Sequence, residues 1–457
     1  MKRLLRVSLF IIYVNYYIYN MKKIFFVLLF FFIYMSSFSQ IISYDLVESW
    51  TLDDVQNIYD SNNFPDNTGQ INFEVDGYKI LYLTPNHNDD LVLCSGAIYL
   101  PRGTSCPSPV LSWQHGTAVK DSAAPSNMTS NNKRIGVIAA SHGYIVTMSD
   151  FIGLGEGIGF HNYVHAETEA SSIIDLIIFG KEFAYDKGVM SNDQLFLMGY
   201  SQGGHATMAA VREIEQNVEF EIQVTGSVPM AGPYSMSGAQ ADMLNANLPY
   251  PNPGYLPYVL FGYHNIYNLF SNINDVLIEP YSEYLFSMYS GEYNMTEINL
   301  TLPDNPIEIF QPEYYIDFLN NQTHPFQLAL LDNDVYNFVP ESPMRLIHCN
   351  GDDNVAYENS IIAYDYFLAG GASDVELWDG GSFNHTACAL GAIIVAKIWI
   401  DSLSDICEPY NNNIVDFNTK DKLLMSVFDF LGRETTSTGL NIEIYDDGSV
   451  EKKYLIK

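Results

Sequence analysis

The sequence predicts an α/β fold, in which a mostly parallel sheet is covered by helices on both faces. Short apolar runs that are typical of buried strands alternate with segments of helical periodicity over 110–230, and the alternation returns over 344–404. The chain has 457 residues, of which 47% are hydrophobic and 14% aromatic. That length is ample for one large core, or for one domain that carries an insertion.

The predicted elements follow a polar segment, 41–69, which has no clear periodicity and for which we expect no regular element. The early strands end at a turn, Pro101-Arg102-Gly103, and strands then alternate with helices. The predicted strands are 71–75, 78–83, 91–93, 97–100, 110–113, 144–148, 195–198, 224–230, 344–348 and 375–378. The predicted helices are 135–140, 168–184, the segment that follows Ser201, 358–369 and 387–404.

The alternation stops at Gly232 and resumes at Met344. The intervening segment is rich in Tyr, Phe, Asn and Pro, and its most regular pieces are helical and aromatic. An unstructured loop of this length is implausible inside a compact domain. The sequence therefore predicts a helical cap, 232–342, inserted within a domain that spans 40–407. The alternative is a plain helical insertion with no part in binding.

The formal net charge of −33 bears on partners rather than on fold. Nucleic acid and anionic membrane surfaces would both repel such a chain, so neither is an expected partner. The charge carries no information about the substrate.

The N-terminus has the pattern of a secretory signal peptide, predicted over 1–39. A basic start, Met21-Lys22-Lys23, precedes an apolar stretch, 24–33, and small residues, 36–39. Met21 is the start that this pattern favours. A membrane anchor is the alternative, and the shortness of the apolar stretch argues against it. We therefore expect a secreted or cell-surface protein.

Five cysteines in an exported chain permit disulfides and leave one thiol over. Cys349–Cys388 is one candidate pair and Cys94–Cys106 another. Cys388 and Cys407 are hard to join, because the predicted helix between them rises roughly 28 Å. Buried free thiols remain the alternative for each pair.

The most informative motif is Gly-Tyr-Ser-Gln-Gly-Gly, 199–204, which lies between a predicted strand and a predicted helix. Strand, Gly-x-Ser-x-Gly and helix together describe a nucleophile elbow. Ser201 must occupy a tight, strained turn that exposes its hydroxyl. Gly199 and Gly203 leave room where a Cβ would collide with neighbouring backbone. The motif alone also occurs in ordinary turns, and its strand–helix context favours the nucleophile.

A serine hydroxyl needs an imidazole as base and a carboxylate that orients that imidazole. In this topology the order is Ser, acid, His, with each residue in a loop after a strand. Asp352 follows the strand 344–348 and His385 follows the strand 375–378. They are therefore the predicted acid and base. Asp353 is a rival acid that the spacing alone barely separates from Asp352.

The other histidines receive different interpretations. His205 lies one turn beyond the serine on the same helix and points back to the sheet. His161 and His165 have the spacing of a metal pair but lack the Glu of a His-Glu-x-x-His motif and an evident third ligand, so no metal site is predicted. His348 is expected to be a satisfied core histidine. His115 precedes the serine in the chain and is given no role as base.

Two segments are predicted to supply oxyanion donors. The backbone N–H of Gln202 begins the helix after the nucleophile, and helix N-termini point amide groups at bound anions. The loop after the strand 110–113 supplies the second donor, from Gly116 or Thr117.

Several motifs, in this order along 75–404, resemble those of secreted lipases and related α/β-hydrolase esterases. They are 113–117 (Trp-Gln-His-Gly-Thr), 149–155, 199–204, 231–234 and 352–355 (Asp-Asp-Asn-Val). The resemblance implies the α/β-hydrolase fold, with Ser201 as nucleophile and His385 as base. It also favours Asp352 over Asp353, because the family's acid begins an Asp-x-x-Val motif. Ala356 departs from the family, which often has Pro at that position.

The C-terminal segment, 408–457, is polar and short-stranded, and its pattern predicts a small β appendage. Its Leu-Gly-Arg-Glu and Tyr-Asp-Asp-Gly-Ser-Val-Glu-Lys-Lys elements resemble the C-terminal sorting signal of type IX secretion. The resemblance implies export through the type IX machinery, although the segment is shorter than a full signal.

Together these features predict an exported serine hydrolase that cleaves carboxylic esters, with a small-molecule or lipid ester as substrate and no cofactor. One alternative is a serine peptidase of the same fold, of the aminopeptidase or prolyl-peptidase type, which would cleave peptide p-nitroanilides. A second alternative is a non-catalytic surface-binding protein with a relic elbow. Such a protein would not be labelled at Ser201 by a fluorophosphonate.

Overall fold

The computed structural model describes residues 41–62, 69–129 and 131–407, and parts of the C-terminal region: 424–429, 433, 435, 439–445 and 450–455. The predicted signal peptide, 1–39, and much of the predicted sorting signal, 408–457, lie outside the described residues. Among the helices that are described, none is long and apolar enough to cross a membrane.

Twelve strands are described, and they form two sheets. They are β1 (Ile41–Trp50), β2 (Val75–Pro85), β3 (Leu91–Pro101), β4 (Ser108–Gln114), β5 (Ile145–Ser149), β6 (Ser191–Tyr200), β7 (Gly226–Met230), β8 (Met344–His348), β9 (Val375–Asp379), β10 (Leu424–Phe428), β11 (Gly439–Tyr445) and β12 (Val450–Leu455).

The helices of the main domain are α1 (Leu52–Asn62), α2 (Asn131–Ser141), α3 (Ala166–Asp186) and α4 (Gln202–Gln216) before the insertion. The insertion contains α5 (Ala241–Leu244), α6 (Tyr255–Tyr267), α7 (Tyr281–Tyr284), α8 (Met295–Asn299), α9 (Pro312–Asn320) and α10 (Pro325–Asp332). Two helices, α11 (Glu358–Gly370) and α12 (His385–Asp401), follow it.

The main sheet has nine strands in the order β1-β2-β3-β5-β4-β6-β7-β8-β9. In the sheet, each neighbouring pair in the series β5, β4, β6, β7, β8, β9 is parallel. The pairs β1–β2, β2–β3 and β3–β5, at one side of the sheet, are antiparallel. Strands such as β4, β5, β7 and β8 are buried along their whole length, because helices cover both faces of the sheet. The predicted mostly parallel sheet is confirmed.

Alternate side chains of each strand enter two different cores. On β3, Ile98 packs with α3 and α4 residues such as Ile177 and Val211, while Tyr99 packs on the other face with Val137 of α2 and Ala396 of α12. Successive strand residues point to opposite faces, so one strand supplies both cores. The predicted layer of helices on each face follows from this alternation.

The first described elements, β1 and α1, contradict the expectation that 41–69 has no regular element. Strand β1 lies at the sheet edge, where most of its side chains are exposed, and backbone pairing with β2 holds it in place. Its hydrophobic pattern is therefore weak. Helix α1 begins with a local signal, because Thr51 and Asp54 exchange hydrogen bonds between side chain and backbone.

One pair of predicted strands is merged in the structure, because 91–93 and 97–100 both belong to β3. The prediction of a separate strand over 71–75 is wrong, because only Val75 of that run lies in a strand, as the first residue of β2. Glycine is needed at position 96 inside β3, because a Cβ there would come within 2.7 Å of Leu176 on α3. Continuous pairing of β2 with β3 carries the strand through the Ser95-Gly96 interruption.

The insertion between β7 and β8 is helical, with a core of its own rich in tyrosine and phenylalanine. Tyr258, Phe261 and Tyr263 of α6 are almost fully buried in that core. Six short helices need such a shared core, because isolated helices of this length are marginal in water. The helical nature predicted for 232–342 agrees with this structure.

The C-terminal strands form a three-stranded antiparallel sheet, β10-β11-β12, as the predicted β appendage requires. Phe428, Ile442 and Ile444 of this small sheet are buried in the same core as Ile398 of α12. The appendage is therefore packed against the main domain.

Disulfides join Cys106 to Cys407 and Cys349 to Cys388, while Cys94 is a buried free thiol. The candidate pair Cys349–Cys388 is confirmed. The pair Cys94–Cys106 is wrong, because Cys94 lies within β3 and Cys106 lies in the loop that precedes β4, where it is bonded to Cys407.

Candidate active site

The strand β6 ends at a sharp turn that carries Ser201, and α4 begins at the next residue. Ser201 has φ 63° and ψ −123°, a conformation that is costly for a residue with a Cβ. The turn tolerates it because glycines allow close approach. A Cβ at Gly199 would lie 2.3 Å from the Gly203 oxygen, and one at Gly203 would lie 2.0 Å from the Gln114 oxygen. The predicted nucleophile elbow is present.

His385 is the first residue of α12, whose N-terminus is capped by the Asn384 side chain. Its Nε2 lies 2.9 Å from Ser201 Oγ. Its Nδ1 lies 2.6 Å from Asp352 Oδ2. The three side chains that the sequence placed in separate loops therefore meet in one chain of hydrogen bonds, and each residue is largely buried.

The loop after β8 separates the two rival acids. Asp352 Oδ1 accepts hydrogen bonds from the backbone N–H groups of Asn354 and Val355, at 2.9 and 2.8 Å. Asp353 instead accepts from the backbone N–H of His385, at 3.2 Å, and from the Asn354 amide. Only Asp352 therefore reaches the imidazole of His385.

Burial alone would raise the pKa of Asp352. Hydrogen bonds from two imidazoles, His348 and His385, outweigh burial and hold the pKa of this carboxyl well below its usual range. Asp352 is therefore a carboxylate at neutral pH.

The segments predicted to supply oxyanion donors lie beside Ser201. Gln202 is the first residue of α4, where amide groups have no partner within the helix. A Cβ at Gly116 would lie 3.7 Å from Ser201 Cβ and 3.3 Å from the Tyr200 oxygen. The loop therefore approaches the serine closely at Gly116.

His115 supports that loop. Its Nδ1 lies 2.7 Å from the Gly116 oxygen and its Nε2 lies 3.2 Å from the Asp150 oxygen, so the ring lies between the loop and the end of β5, and a neutral ring can donate to only one of these two oxygens. Burial lowers the pKa of His115, which favours a neutral ring. The ring contacts backbone oxygens rather than Ser201, as its exclusion from the role of base required.

A buried polar network that sequence reasoning missed lies behind the elbow. The Gln202 side-chain amide lies 2.8 Å from His161 Nε2 and donates to Glu169 Oε1 at 2.9 Å. The other oxygen of Glu169 lies 2.7 Å from His205 Nδ1, and His205 Nε2 lies 3.1 Å from the Asn333 oxygen. Burial lowers the pKa of His161 to about 3. The available signal was a glutamate, Glu169, on the apolar face of α3.

The other member of the discounted metal pair, His165, caps the N-terminus of α3 by accepting a hydrogen bond from the Thr168 backbone. His165 and His161 thus have separate partners, which are the Thr168 backbone N–H and the Gln202 side chain. In the part of the chain that the structure describes, no group of three His, Cys, Asp or Glu side chains could hold a metal ion.

His348, the last residue of β8, is fully buried, as a core histidine should be. It also has a contact that the sequence did not reveal, because its Nε2 lies 3.2 Å from Asp352 Oδ2. Asp352 is therefore faced by two imidazoles.

The insertion reaches both loops that flank Ser201. On the acid side, Gln240 and Tyr250 donate side-chain hydrogen bonds to the Asn354 oxygen, at 3.0 and 2.7 Å. On the oxyanion side, Tyr258 donates to the Ala118 oxygen at 3.0 Å. Its ring also stacks on Tyr163, with centroids 4.5 Å apart.

Two surface cavities lie elsewhere. One is between α12, β9 and the C-terminal sheet, and the other is between α2 and α12. Neither is lined by a residue of the Ser201 site.

Comparison with known proteins agrees with this architecture. A rice cell wall degrading esterase, LipA from Xanthomonas oryzae, has a similar structure with a TM-score of 0.72 and 26% identity, covering 80% of this chain and 99% of that chain. Candida antarctica lipase A is similar in fold, with a TM-score of 0.60, 18% identity and coverage of 82% and 83%. No curated protein sequence matches significantly.

The sequence profile of the secretory lipase family matches residues 128–405, which is more than half of the 457 residues. The matched part includes the elbow, the acid loop and the start of α12. The chain belongs to the secretory lipase family, and it is a carboxylic ester hydrolase with the α/β-hydrolase fold.

Proposed function

We propose that the protein hydrolyses carboxylic esters through an acyl-enzyme, with Ser201 as nucleophile, His385 as general base and Asp352 as the acid that orients His385. The observation that carries the proposal is the continuous chain of contacts at 2.9 and 2.6 Å from the serine oxygen to the carboxylate. General-base activation requires heavy-atom distances of this kind.

In the first half of the reaction, Ser201 Oγ attacks the ester carbonyl carbon while its proton passes to His385 Nε2. Asp352 stabilises the imidazolium and keeps Nδ1 protonated. The carbonyl oxygen becomes an oxyanion, and the backbone N–H groups of Gln202 and of Gly116 or Thr117 donate to it. Each such donor contributes about 2.7–4 kcal/mol to the transition state.

The imidazolium then gives its proton to the departing alkoxide, and the alcohol leaves the acyl-enzyme, which completes the first half. In the second half, water loses a proton to His385 and attacks the acyl carbon. The second tetrahedral intermediate collapses to the carboxylic acid as His385 returns that proton to Ser201 Oγ. The two halves use the same base and the same oxyanion donors.

A labelling experiment tests the triad. A fluorophosphonate should label the wild-type protein at Ser201, and Ser201→Ala and His385→Ala should each remove labelling and p-nitrophenyl acetate hydrolysis. Full labelling of Ser201→Ala would contradict the proposal. Cleavage of peptide p-nitroanilides faster than of esters would favour the peptidase alternative.

We further propose that the segment 232–342 covers the acyl group of the substrate. Its support is the contact of Tyr258 with the oxyanion loop and of Tyr250 with the acid loop, because these loops lie on two sides of Ser201. Aromatic walls favour apolar acyl groups, including those of lipid esters. A series of p-nitrophenyl esters from acetate to octanoate tests this, and faster turnover of acetate would contradict an apolar preference.

For its location, we propose export with removal of 1–39 and use of 408–457 as a type IX sorting signal. Membership of the secretory lipase family and two disulfides support export, because disulfides persist in oxidising compartments. Expression with and without 408–457 in a host that has type IX secretion provides the test. Equal amounts of both forms in the medium would contradict the sorting role.

A further inference from the structure

The carboxylate of Asp352 has a second imidazole partner. The same oxygen, Oδ2, that lies 2.6 Å from His385 Nδ1 also lies 3.2 Å from His348 Nε2. Asp352 and His348 side chains have no exposed surface. A donor to a fully buried carboxylate affects both its direction and its charge, because water cannot replace it.

The orientation of His348 is fixed by its other contacts. Its Nδ1 lies 2.8 Å from Ser360 Oγ on α11, and its Nε2 also faces the Val355 oxygen at 3.2 Å. The Val355 oxygen and the Asp352 carboxylate can only accept, so Nε2 must carry a proton. The Ser360 hydroxyl can donate to Nδ1, which makes the neutral Nε2–H tautomer fit every contact.

We propose that His348 is a positioning residue for ester hydrolysis, whose Nε2–H holds Asp352 in the direction that meets His385 and takes up part of its negative charge. This inference rests on the triad proposed above. His348 has no contact with Ser201 among its hydrogen bonds, so it acts on the reaction through Asp352.

The consequence for pH dependence follows from charge. Without the His348 donor, more of the negative charge of Asp352 would act on His385, and the imidazolium of His385 would be stabilised. The base would then remain protonated, and inactive, to a higher pH. Loss of a packing residue alone would not move the profile in this way.

The other titratable groups around the two histidines are not expected to titrate in the assay range. Tyr200, Tyr250 and Tyr255 lie near Asp352, and burial raises the pKa of each. Tyr357 packs against the His348 ring, and burial raises its pKa to about 12. Asp353 faces the backbone N–H of His385 rather than its ring.

The test compares His348→Leu, which removes the donor, with His348→Gln, which keeps an N–H donor on a shorter reach. Active sites are titrated with a fluorophosphonate, and kcat of p-nitrophenyl ester hydrolysis is measured from pH 5 to 9. We expect His348→Leu to lose about tenfold in kcat per titrated site. We also expect the acid limb of the pH profile of His348→Leu to move to higher pH by about half a unit. His348→Gln should recover much of the lost kcat and reverse much of the shift in pH.

His142→Leu is the matched control. His142 is also buried, and it contacts Tyr59 and Lys397 away from the triad. It should lose stability without any change in the pH profile. A His348→Leu profile that superimposes on the wild type, with kcat within twofold, would overturn the proposal.

If His348→Leu does not fold, the test uses Ser360→Ala instead. That variant removes the hydroxyl that donates to His348 Nδ1, so the Nε2–H tautomer of His348 is no longer favoured over the Nδ1–H tautomer. We expect a smaller loss, about threefold, with a shift in the same direction. An unchanged profile for a folded Ser360→Ala would also overturn the proposal. Ester hydrolysis by Ser201→Ala would instead refute the triad, so the two failures are distinguishable.

Discussion

Replacing Cys349 and Cys388 together with alanine should weaken catalysis as well as stability. Cys349 lies three residues before Asp352, and Cys388 lies three residues after His385. Their disulfide therefore joins the loop of the acid to the helix of the base. We expect its loss to loosen the contact between Asp352 and His385, which is 2.6 Å in the intact protein.

The magnitude follows from loop lengths. A chain-entropy treatment gives about 4 kcal/mol for the loop of 39 residues closed by Cys349–Cys388, and about 6 kcal/mol for the 301 residues closed by Cys106–Cys407. On stability alone, the second disulfide should matter more. On catalysis the order should reverse, because displacement of a catalytic group by about 1 Å can cost about a hundredfold in rate.

The assay uses both double variants, Cys349→Ala/Cys388→Ala and Cys106→Ala/Cys407→Ala. The midpoint of thermal unfolding reports stability, and kcat per fluorophosphonate-titrated site reports catalysis. We expect at least a tenfold loss of kcat for the first variant and less than a twofold loss for the second. Equal kcat values in the two variants would refute the reasoning.

Three further changes test separate parts of the site. Asp352→Asn should lower kcat by about ten-thousand-fold, whereas Asp353→Asn should keep kcat within about tenfold of the wild type. The reason is that only Asp352 reaches the imidazole of His385, and steady-state ester hydrolysis measures both values. Gly203→Ala should abolish the folded elbow, because its Cβ would lie 2.0 Å from a backbone oxygen, and an unchanged melting temperature would contradict this. Glu169→Gln breaks a buried pair with His205 and should cost about 3–5 kcal/mol in urea unfolding, and a loss below 1 kcal/mol would argue against a charged pair.

The positions of the three central side chains could be predicted because topology constrains them. The carboxyl ends of parallel strands lie at one sheet edge, so loops after β6, β8 and β9 must be neighbours. The order Ser201, Asp352, His385 then needs only the residue at which each strand ends, and apolar runs in buried strands locate those three ends within two residues. Spacing alone could not choose between Asp352 and Asp353. The turn after β8 places the Asp352 carboxylate, and not that of Asp353, against the imidazole of His385.

The contacts that were missed depend on tertiary packing. Glu169 and His205 lie on different helices, and no local pattern indicates that they share a buried hydrogen bond. Edge strand β1 was missed for a related reason, since its backbone pairs with β2 while its side chains stay exposed. Hydrophobic periodicity reports burial of side chains and is silent about pairing of backbone.

The cysteine pairing shows the same limit. Cys94 and Cys106 are close in sequence, but Cys94 is buried within β3, whereas Cys106 lies in the loop between β3 and β4. Cys407 follows α12 and is bonded to Cys106. A separation of 301 residues cannot be recognised from spacing. It becomes evident only when the sheet places the start of β4 beside the end of α12.

The insertion adds support to the acid loop that the triad does not provide for itself. Gln240 and Tyr250 hold the Asn354 oxygen, and Asn252 donates to the Asn354 side chain at 2.6 Å. The N–H of Asn354 in turn donates to Asp352. The segment 232–342 thus contains none of Ser201, Asp352 and His385 and yet contacts the backbone that holds Asp352. Its folding and the assembly of the acid loop are therefore coupled, because neither set of polar groups is satisfied without the other.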